Sequence, residues 1–311
     1  MSCPAQGSST NFSYIVESTA GTTPAGNFQE IPITGHSLDL SRDVVTGNDI
    51  SIMDENERHG NNSVSGDISV DMRADLYDAL MESALRNVWD TSPTSLPDVL
   101  KIGETPKSFT FEDAATDISQ YQLFTGCVVN SLAVSIAPNQ MVTSTFGIMG
   151  LNKTISGTGK TLDSYDNTLQ PFDAYSGNLL LGDQGAAGSA VAITAVDFTI
   201  TNNLEHAFIV GSDTAPCITR GRTEVTGSFT AHFLDNAITD RFLNETESAL
   251  YIPVNDPTGN NQYQFVFPRL KINSATTALE GQGTRLVNVE FRALRDSTED
   301  TSFYIERPET T

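Results

Sequence analysis

The sequence is poor in the residues from which catalytic and metal sites are usually built. Its 311 residues include only four histidines, one tryptophan and three cysteines, Cys3, Cys127 and Cys217. An odd number of cysteines without metal-ligand spacing predicts free thiols in a reducing compartment. The histidines are scattered, without the paired spacing of zinc ligands. We therefore expect no catalytic residue, no metal and no cofactor.

Long apolar runs are also missing, since no stretch approaches the roughly 18 residues that a membrane-spanning helix requires. The opening MSCPAQGSSTNF has neither a basic start nor an apolar run. The sequence thus predicts no signal peptide and no membrane partner.

Two short motifs resemble ligand-binding loops but depart from them. In SGTGKT (156–161), Thr154 stands where a phosphate-binding loop requires glycine, so a linker is expected. DENERHGNN (54–62) lacks the alternating acidic ligands of a calcium loop and is typical of a polar hairpin tip.

Positive charge is scarce: 17 basic residues face 39 acidic ones, and the net charge is −22. The acidic residues are spread over both halves of the chain. Such a protein repels a phosphate backbone rather than binding it. It can still enclose DNA without adhering to it.

What the sequence does contain is a repeat. VSGDISVDM (64–72) and VTGSFTAHF (225–233) alternate apolar and polar residues, which predicts half-buried strands that begin with V-[ST]-G. Each is followed by apolar residues at helical spacing, predicting short helices near 73–86 and 235–245.

A second block repeats in the same order. Tyr-Gln at 121 and 263 begins an apolar strand, Asn-Ser follows at 130–131 and 273–274, and a hairpin leads to an alternating last strand. The preserved order predicts two tandem copies of one fold.

These segments resemble a known family. SYIVESTAGTTP (13–24) is similar to the Y-x-x-E-x-x-x-G-T-x-P opening of phage tail tube proteins. VSGDISVDM leading into LYDALMESAL, and VTGSFTAHFLDNAITDRFLNET followed by FVFPRLKI, resemble the two domains of duplicated, siphovirus-type major tail tube proteins. The resemblance spans nearly the whole chain.

The resemblance implies a mainly β protein with two tandem antiparallel β-sandwiches or half-barrels, each with one short packed α-helix. The expected divisions are an N-terminal arm (1–30), a first tail tube domain (31–151), a linker (152–189), a second domain (190–294) and a C-terminal arm (295–311).

The resemblance also implies a function without catalysis. The chain would form trimeric, pseudo-sixfold rings that stack into a tail tube, the conduit for DNA ejection. Its partners would be further copies of itself, the tape measure protein, the tail terminator and the distal tail proteins. DNA would pass through without specific binding. Assembly would take place in the host cytoplasm, and the final location would be the virion tail.

Four aspartates are candidates for the lumen of such a tube. Asp39, Asp67, Asp71 and Asp197 lie on the polar side of strands whose other side is apolar. If this face lies outside any tube, the same aspartates are ordinary solvent-facing residues.

The segments 42–62 and 203–222 are polar, turn-rich and long, so they are predicted to be loops that contact an adjacent ring. Within the first, Asp54, Glu55, Glu57 and Arg58 are the candidate contact residues.

Two other classes of protein remain compatible with the pattern. One is a different virion or surface β-sandwich protein, such as a capsid decoration or adhesin module. The other is a glycosidase with a catalytic carboxylate pair, since acidic residues are plentiful. The repeat disfavours the enzyme, because a catalytic pair seldom persists in two equal copies.

Overall fold

A computed structural model of the chain describes residues 4–47, 56–91, 97–174, 179–257, 259, 262–277 and 283–307. The first half contains a 3₁₀ turn at Gly7–Ser9 and, in chain order, β1 (Thr10–Val16), β2 (Phe28–Glu30), β3 (Gly35–His36), β4 (Asp39–Gly47), β5 (Asn56–Asp71), α1 (Asp78–Leu85), β6 (Asp98–Lys101), β7 (Phe109–Ala115), β8 (Gln120–Ile136), β9 (Thr143–Gly150), β10 (Asn152–Ser156) and β11 (Leu162–Asp163). The second half contains β12 (Leu180–Asp183), β13 (Ser189–Ala190), β14 (Ile193–Thr201), β15 (Glu205–His206), β16 (Ile218–Thr219), β17 (Glu224–His232), α2 (Ala237–Leu243), β18 (Ser248–Asn255), β19 (Gln262–Thr276), β20 (Leu286–Ala293) and β21 (Tyr304–Arg307).

Eight strands form one continuous antiparallel sheet in the order β4, β5, β9, β8, β14, β17, β20, β19, called here the eight-stranded sheet. The two halves meet in its middle, where residues 131–136 of β8 pair with residues 196–201 of β14. The backbone hydrogen bonds of this pair make the halves one sheet.

Each half contributes four strands in the same pairing order. In the first half β4 pairs with β5, β5 with β9, and β9 with β8. In the second half β14, β17, β20 and β19 follow the same sequence of pairings. The register shifts at Asn130 in β8 and at Asn273 in β19, so both long strands carry a bulge at the Asn-Ser pair. Descent of the halves from one duplicated domain stays a prediction.

The two predicted helices lie within their expected ranges and pack on the longest strand of their half, α1 on β8 and α2 on β19. Helix α1 buries Leu80, Met81 and Leu85 completely. Helix α2 buries no residue fully, and it packs against the core through the half-buried Ile238 and Phe242. The predicted fold class, mainly β with short packed helices, is confirmed.

A second layer covers the apolar side of the eight-stranded sheet. In the first half it is built from β1, β2, β7, β10, β11 and residues 120–127 of β8. Over the second half it is built from β12, β13, β18, β21 and residues 262–267 of β19, and it is joined by β6 from the first half of the chain. Because β8 and β19 run through both layers, each half folds as a sandwich around one shared core.

The segments expected to be terminal arms, and the expected linker, contribute strands to this layer. All seven residues of β1 pair with β7, and Phe12 and Tyr14 are buried. Strand β21 pairs with β19 and β6. Strands β10, β11 and β12 fall within the predicted linker.

Within the E-x-x-x-G part of the opening motif, the glutamate and the glycine are hydrogen-bonded to each other. The carboxylate of Glu17 is buried and accepts hydrogen bonds from the Gly21 and Gly126 amides and the Thr110 hydroxyl, each at 2.7–2.9 Å. A buried carboxylate costs free energy unless it is hydrogen-bonded in this way. The motif thus fixes the end of β1 to the bend of β8.

The glycine of V-[ST]-G is required by close packing in both halves. A Cβ at Gly66 would lie 2.5 Å from the backbone of Leu38, and one at Gly227 would lie 2.5 Å from the Phe291 ring. Both glycines therefore allow the strand to approach its neighbour, as glycine in a strand interior often does.

An ion-pair cluster ties β21 to the first half. The guanidinium of Arg307 donates to Asp78 at 2.6 Å, to Asp75 at 2.7 Å and to Asp98 at 2.8 Å. The Tyr263 hydroxyl donates to Asp78 at 2.7 Å. Burial raises the pKa of Asp78 to about 6, although Tyr263 and Arg307 both act to lower it.

Asp78 should therefore give stability a specific pH dependence. Because its pKa is raised on folding, its favourable contribution is complete below its ordinary pKa of 3.8 and is lost as the pH rises through 6. We expect the free energy of unfolding of the wild type, relative to Asp78→Asn, to fall by up to about 3 kcal/mol over this window.

Thermal and urea melts of both proteins between pH 3.5 and pH 7 would measure this difference. The control is Asp235→Asn, which removes an exposed carboxyl group and is measured over the same pH range. A constant difference between wild type and Asp78→Asn would contradict the assignment.

Candidate functional site

The two faces of the eight-stranded sheet differ sharply in polarity. Ile68 and Phe198 point to the core and are 0% and 2% exposed. Their neighbours Asp67 and Asp197 point to the opposite face and are exposed. This alternation continues from β5 to β20, so one face of the sheet is mostly polar, with Met149, opposite Ser65, and Val128, opposite Met149, as apolar exceptions.

The polar residues line up in rows across the strands. One row of directly paired residues crosses seven strands: Asp71, Thr143, Ser135, Asp197, Ser228, Glu290 and Ser274. A second row contains Asp67, Gly147, Ser131, Thr201 and Glu224. The structure thus brings Asp67, Asp71 and Asp197 onto one face, although they come from different halves.

These three aspartates are not neutralised by basic side chains. Within the described ranges, none of Asp67, Asp71 and Asp197 forms an ion pair. Asp197 accepts a hydrogen bond from the Ser135 hydroxyl at 2.5 Å. The face carries acidic charge held among hydroxyl groups.

Asp39 shares the register of this face, since it pairs with Ser65, but its environment differs. Its carboxylate accepts a hydrogen bond from the Lys153 ammonium at 2.6 Å and another from the Leu40 amide at 2.8 Å. These hydrogen bonds, that of Lys153 first, lower the pKa of Asp39. The ammonium of Lys153 thus compensates the negative charge of Asp39, the fourth candidate aspartate.

The paired ends of β4 and β5 on either side of residues 48–55 are exposed. Glu57 and Arg58, two of the four candidate contact residues, are exposed on β5, whereas Asp54 and Glu55 lie outside the described residues. Val44 and Val45 on β4 are 52% and 59% exposed.

The corresponding loop of the second half, 203–222, folds back onto the first half, where the Asn62 amide donates to the Asp213 carbonyl at 2.6 Å.

The model of the family described as phage tail tube protein matches residues 7–293. The chain belongs to the phage tail tube protein family. The match includes both halves of the eight-stranded sheet, and it confirms the family to which the sequence motifs pointed. A search of curated proteins found no match.

Membership makes the chain a structural tail tube protein and a component of the virion tail. No group of three or more His, Cys, Asp or Glu side chains that could hold a metal occurs among the residues that the structure describes. No helix in the same ranges is long and apolar enough to cross a membrane.

Sequence reasoning missed part of the polar face of this tail tube protein. Glu290 belongs to the row of Asp71 and Asp197, and Glu224 forms an exposed ion pair with Arg292 at 2.7 Å. The signal for Glu290 was present, because it stands between the buried Val289 and Phe291 in an alternating strand.

Residues on the two faces should respond oppositely to substitution. Replacing Asp67, Asp71 or Asp197 by Ser should change the free energy of unfolding by less than about 0.5 kcal/mol each, because these side chains lie away from the core. Phe198→Ala should cost about 3–5 kcal/mol, because the Phe198 ring packs against three other phenylalanine rings.

Urea denaturation of the four single variants would measure both effects. A loss above about 2 kcal/mol at any of the three aspartates would show that its carboxylate has a structural role.

Proposed function

We propose that three copies of this tail tube protein close into a pseudo-sixfold ring and that such rings stack into the tail tube. The observation that carries the proposal is the pair of edges of the eight-stranded sheet. Among the described residues, the backbone of β4 pairs only with β5, while residues 271–276 of β19 pair only with β20. Open edges of this length invite pairing with another chain.

The junction between β8 and β14 supports a specific way to close the ring. It joins the last strand of one four-stranded set to the first strand of the next. Repeating this junction between chains would place β19 of one copy beside β4 of its neighbour. Closure by cyclic symmetry removes both edges, whereas stacking leaves the long axis open for growth.

The polar face is the proposed wall of the bore. Asp67, Asp71 and Asp197 would then face DNA, with Asp39 contributing less because Lys153 compensates its charge. Duplex DNA carries one negative charge about every 1.7 Å, so a basic wall would bind it at many points. An acidic, hydroxyl-rich wall repels it within roughly 8 Å at physiological salt and offers no binding sites along the path.

The remaining contacts follow from this architecture. The hairpin 42–62, with Asp54, Glu55, Glu57 and Arg58, is the proposed connection to an adjacent ring. The tape measure protein would occupy the bore before ejection, and the terminator and distal tail proteins would bind the two ends of the tube. Assembly would take place in the host cytoplasm, and the tube would conduct DNA during ejection.

Cysteine cross-linking tests the ring closure. Where β14 pairs with β8 within the chain, Thr201 is opposite Ser131. By the repeat, Ser41 of β4 corresponds to Thr201, and Ser274 of β19 corresponds to Ser131. With Cys3 and Cys217 replaced by Ser, the Ser41→Cys, Ser274→Cys double variant should oxidise to covalent species of one, two and three chains and no more. Non-reducing gel electrophoresis and electron microscopy would identify covalent trimers within tubes.

The matched control pairs Ser41→Cys with Thr276→Cys, two residues along the same face of β19. That displacement separates the Cα atoms by more than about 7 Å, which a disulfide cannot bridge. Equal cross-linking of both variants would contradict the register, and cross-linked ladders beyond three chains would contradict the closed trimer.

Charge reversal tests the bore. We expect that replacing Asp67, Asp71 and Asp197 together by Lys leaves tubes intact but slows DNA ejection, because each lysine creates a phosphate contact. The delay should be largest at low salt and should disappear as the salt concentration rises. Dye fluorescence of released DNA, triggered in vitro from purified phage, would measure the rate.

The control replaces three exposed aspartates elsewhere, Asp117, Asp163 and Asp235, by Lys, which gives the same change in net charge. Its ejection rate should match the wild type. Equal rates for both triple variants at low salt would overturn the placement of the acidic face in the bore.

A further inference from the structure

A cleft of about 910 Å³ opens where β17 begins and β20 ends. Four of the chain's 17 basic residues line it, and we call it the arginine cleft: Arg220, Arg222, Arg292 and Arg295. Three of them have carboxylate partners, Glu104, Glu224 and Asp300. Arg222 is exposed and forms no ion pair with any described residue. The cleft thus presents one arginine, Arg222, whose charge no carboxylate of the described residues compensates, in a chain whose net charge is −22.

The corresponding place in the first half is occupied by the chain itself. There the loop 203–222 crosses the ends of β5 and β9. The Asp213 carbonyl accepts from the Asn62 amide at 2.6 Å, and His206 Nε2 contacts the Gly150 carbonyl at 2.8 Å. In these contacts the loop that follows β14, the first strand of the second four-stranded set, covers β5 and β9 of the first set at the point where their mutual pairing ends.

The arginine cleft is formed by the counterparts of those covered residues. By the repeat, Asn62 corresponds to Thr223 and Gly150 to Ala293, and both counterparts line the cleft. In the first half the cover is the loop 203–222, whereas no described residue of the chain occupies the cleft in the second half.

The bulges give a second, independent correspondence. The Asn130 side chain, at the bulge of β8, accepts a hydrogen bond from the Leu204 amide at 2.9 Å. Asn273, at the bulge of β19, is exposed and makes no side-chain hydrogen bond with the described part of the chain. The side-chain oxygen of Asn130 thus accepts a hydrogen bond where β8 meets β14. The corresponding oxygen of Asn273, at the open edge of β19, accepts none from the described residues.

The segment that corresponds to the covering loop is the base of the β4–β5 hairpin. Val44 lies three residues after Ser41, as Leu204 lies three residues after the corresponding Thr201, although Val44 still pairs with His59 of β5. Leu204 is 7% exposed and Val44 is 52% exposed. Residues 43–57 contain five acidic residues and no lysine or arginine, and Arg42 and Arg58 flank them. Asp43 and Glu57, which lie within the described ranges, form no ion pair with other residues there.

We propose that the arginine cleft binds the acidic base of the β4–β5 hairpin from a second copy of this chain in the same ring. The inference rests on the proposed ring and adds to it the site that selects the neighbour by charge. The amide of Val44 then reaches Asn273, Val44 becomes buried, and Asp43 and Glu57 meet the arginines. Glu57 then serves this contact within the ring, and Asp54, Glu55 and Arg58 remain available to an adjacent ring.

Charge reversal on each side, and on both together, tests the site. Arg222→Glu alters the cleft, and Asp43→Lys with Glu57→Lys alters the hairpin. Each variant should raise the protein concentration needed for tube formation at least tenfold, and the combined variant should return it to within about threefold of the wild type, because opposite charges face each other again. Sedimentation and electron microscopy would measure assembly, and thermal melts would verify folding.

Lys160→Glu is the control, since it makes the same change in net charge on an exposed residue of the linker, outside both surfaces. It should assemble like the wild type. Should Arg222→Glu fold poorly, Arg222→Gln removes the positive charge without reversing it and should show an intermediate defect.

The outcomes separate this inference from the proposed function. If wild type and control form tubes and Arg222→Glu forms them at the same concentration, the cleft is not the site and the ring stands. If both single-sided variants fail but the combined variant fails equally, the charge pairing is wrong. If folded wild-type protein forms no ring or tube at any concentration, the proposed ring and this inference fall together.

Discussion

The pairing of β8 with β14 is the contact on which the rest of the molecule depends. Six residues of each strand join two four-stranded sets into one sheet, and the direction of every polar side chain on its face follows from that register. A shift of one residue would turn Asp197 into the core and Phe198 into solvent. The buried Phe198 ring, in contact with Phe265, Phe267 and Phe303, makes such a shift costly.

Much of this architecture could be predicted from local patterns. Alternation in VSGDISVDM and VTGSFTAHF identified β5 and β17, and helical spacing placed both helices within their ranges. The period of two also predicts that Asp67 and Asp71 of β5 and Asp197 of β14 lie opposite the apolar side, whereas their place in a lumen stays a prediction. These features depend on a few neighbouring residues, so the sequence states them directly.

The features that sequence reasoning did not find depend on distant residues. The pairing of Asp39 with Lys153 joins positions 114 residues apart, and no local pattern indicates it. Strand β1 was expected within an arm because its partner, β7, lies about a hundred residues later in the chain. The arginine cleft likewise combines segments from three parts of the sequence.

The Arg307 cluster has a consequence for biosynthesis. Its three aspartate partners precede it by 209 to 232 residues, so these ion pairs can form only after nearly all of the described chain has left the ribosome. Contacts of such long sequence separation slow folding. Strand β21 also completes the pairing of β19 and β6, so the second half cannot reach its final packing before β21 has left the ribosome. Until then β19 of a nascent chain lacks one of its partner strands, which delays the association of that chain with other copies.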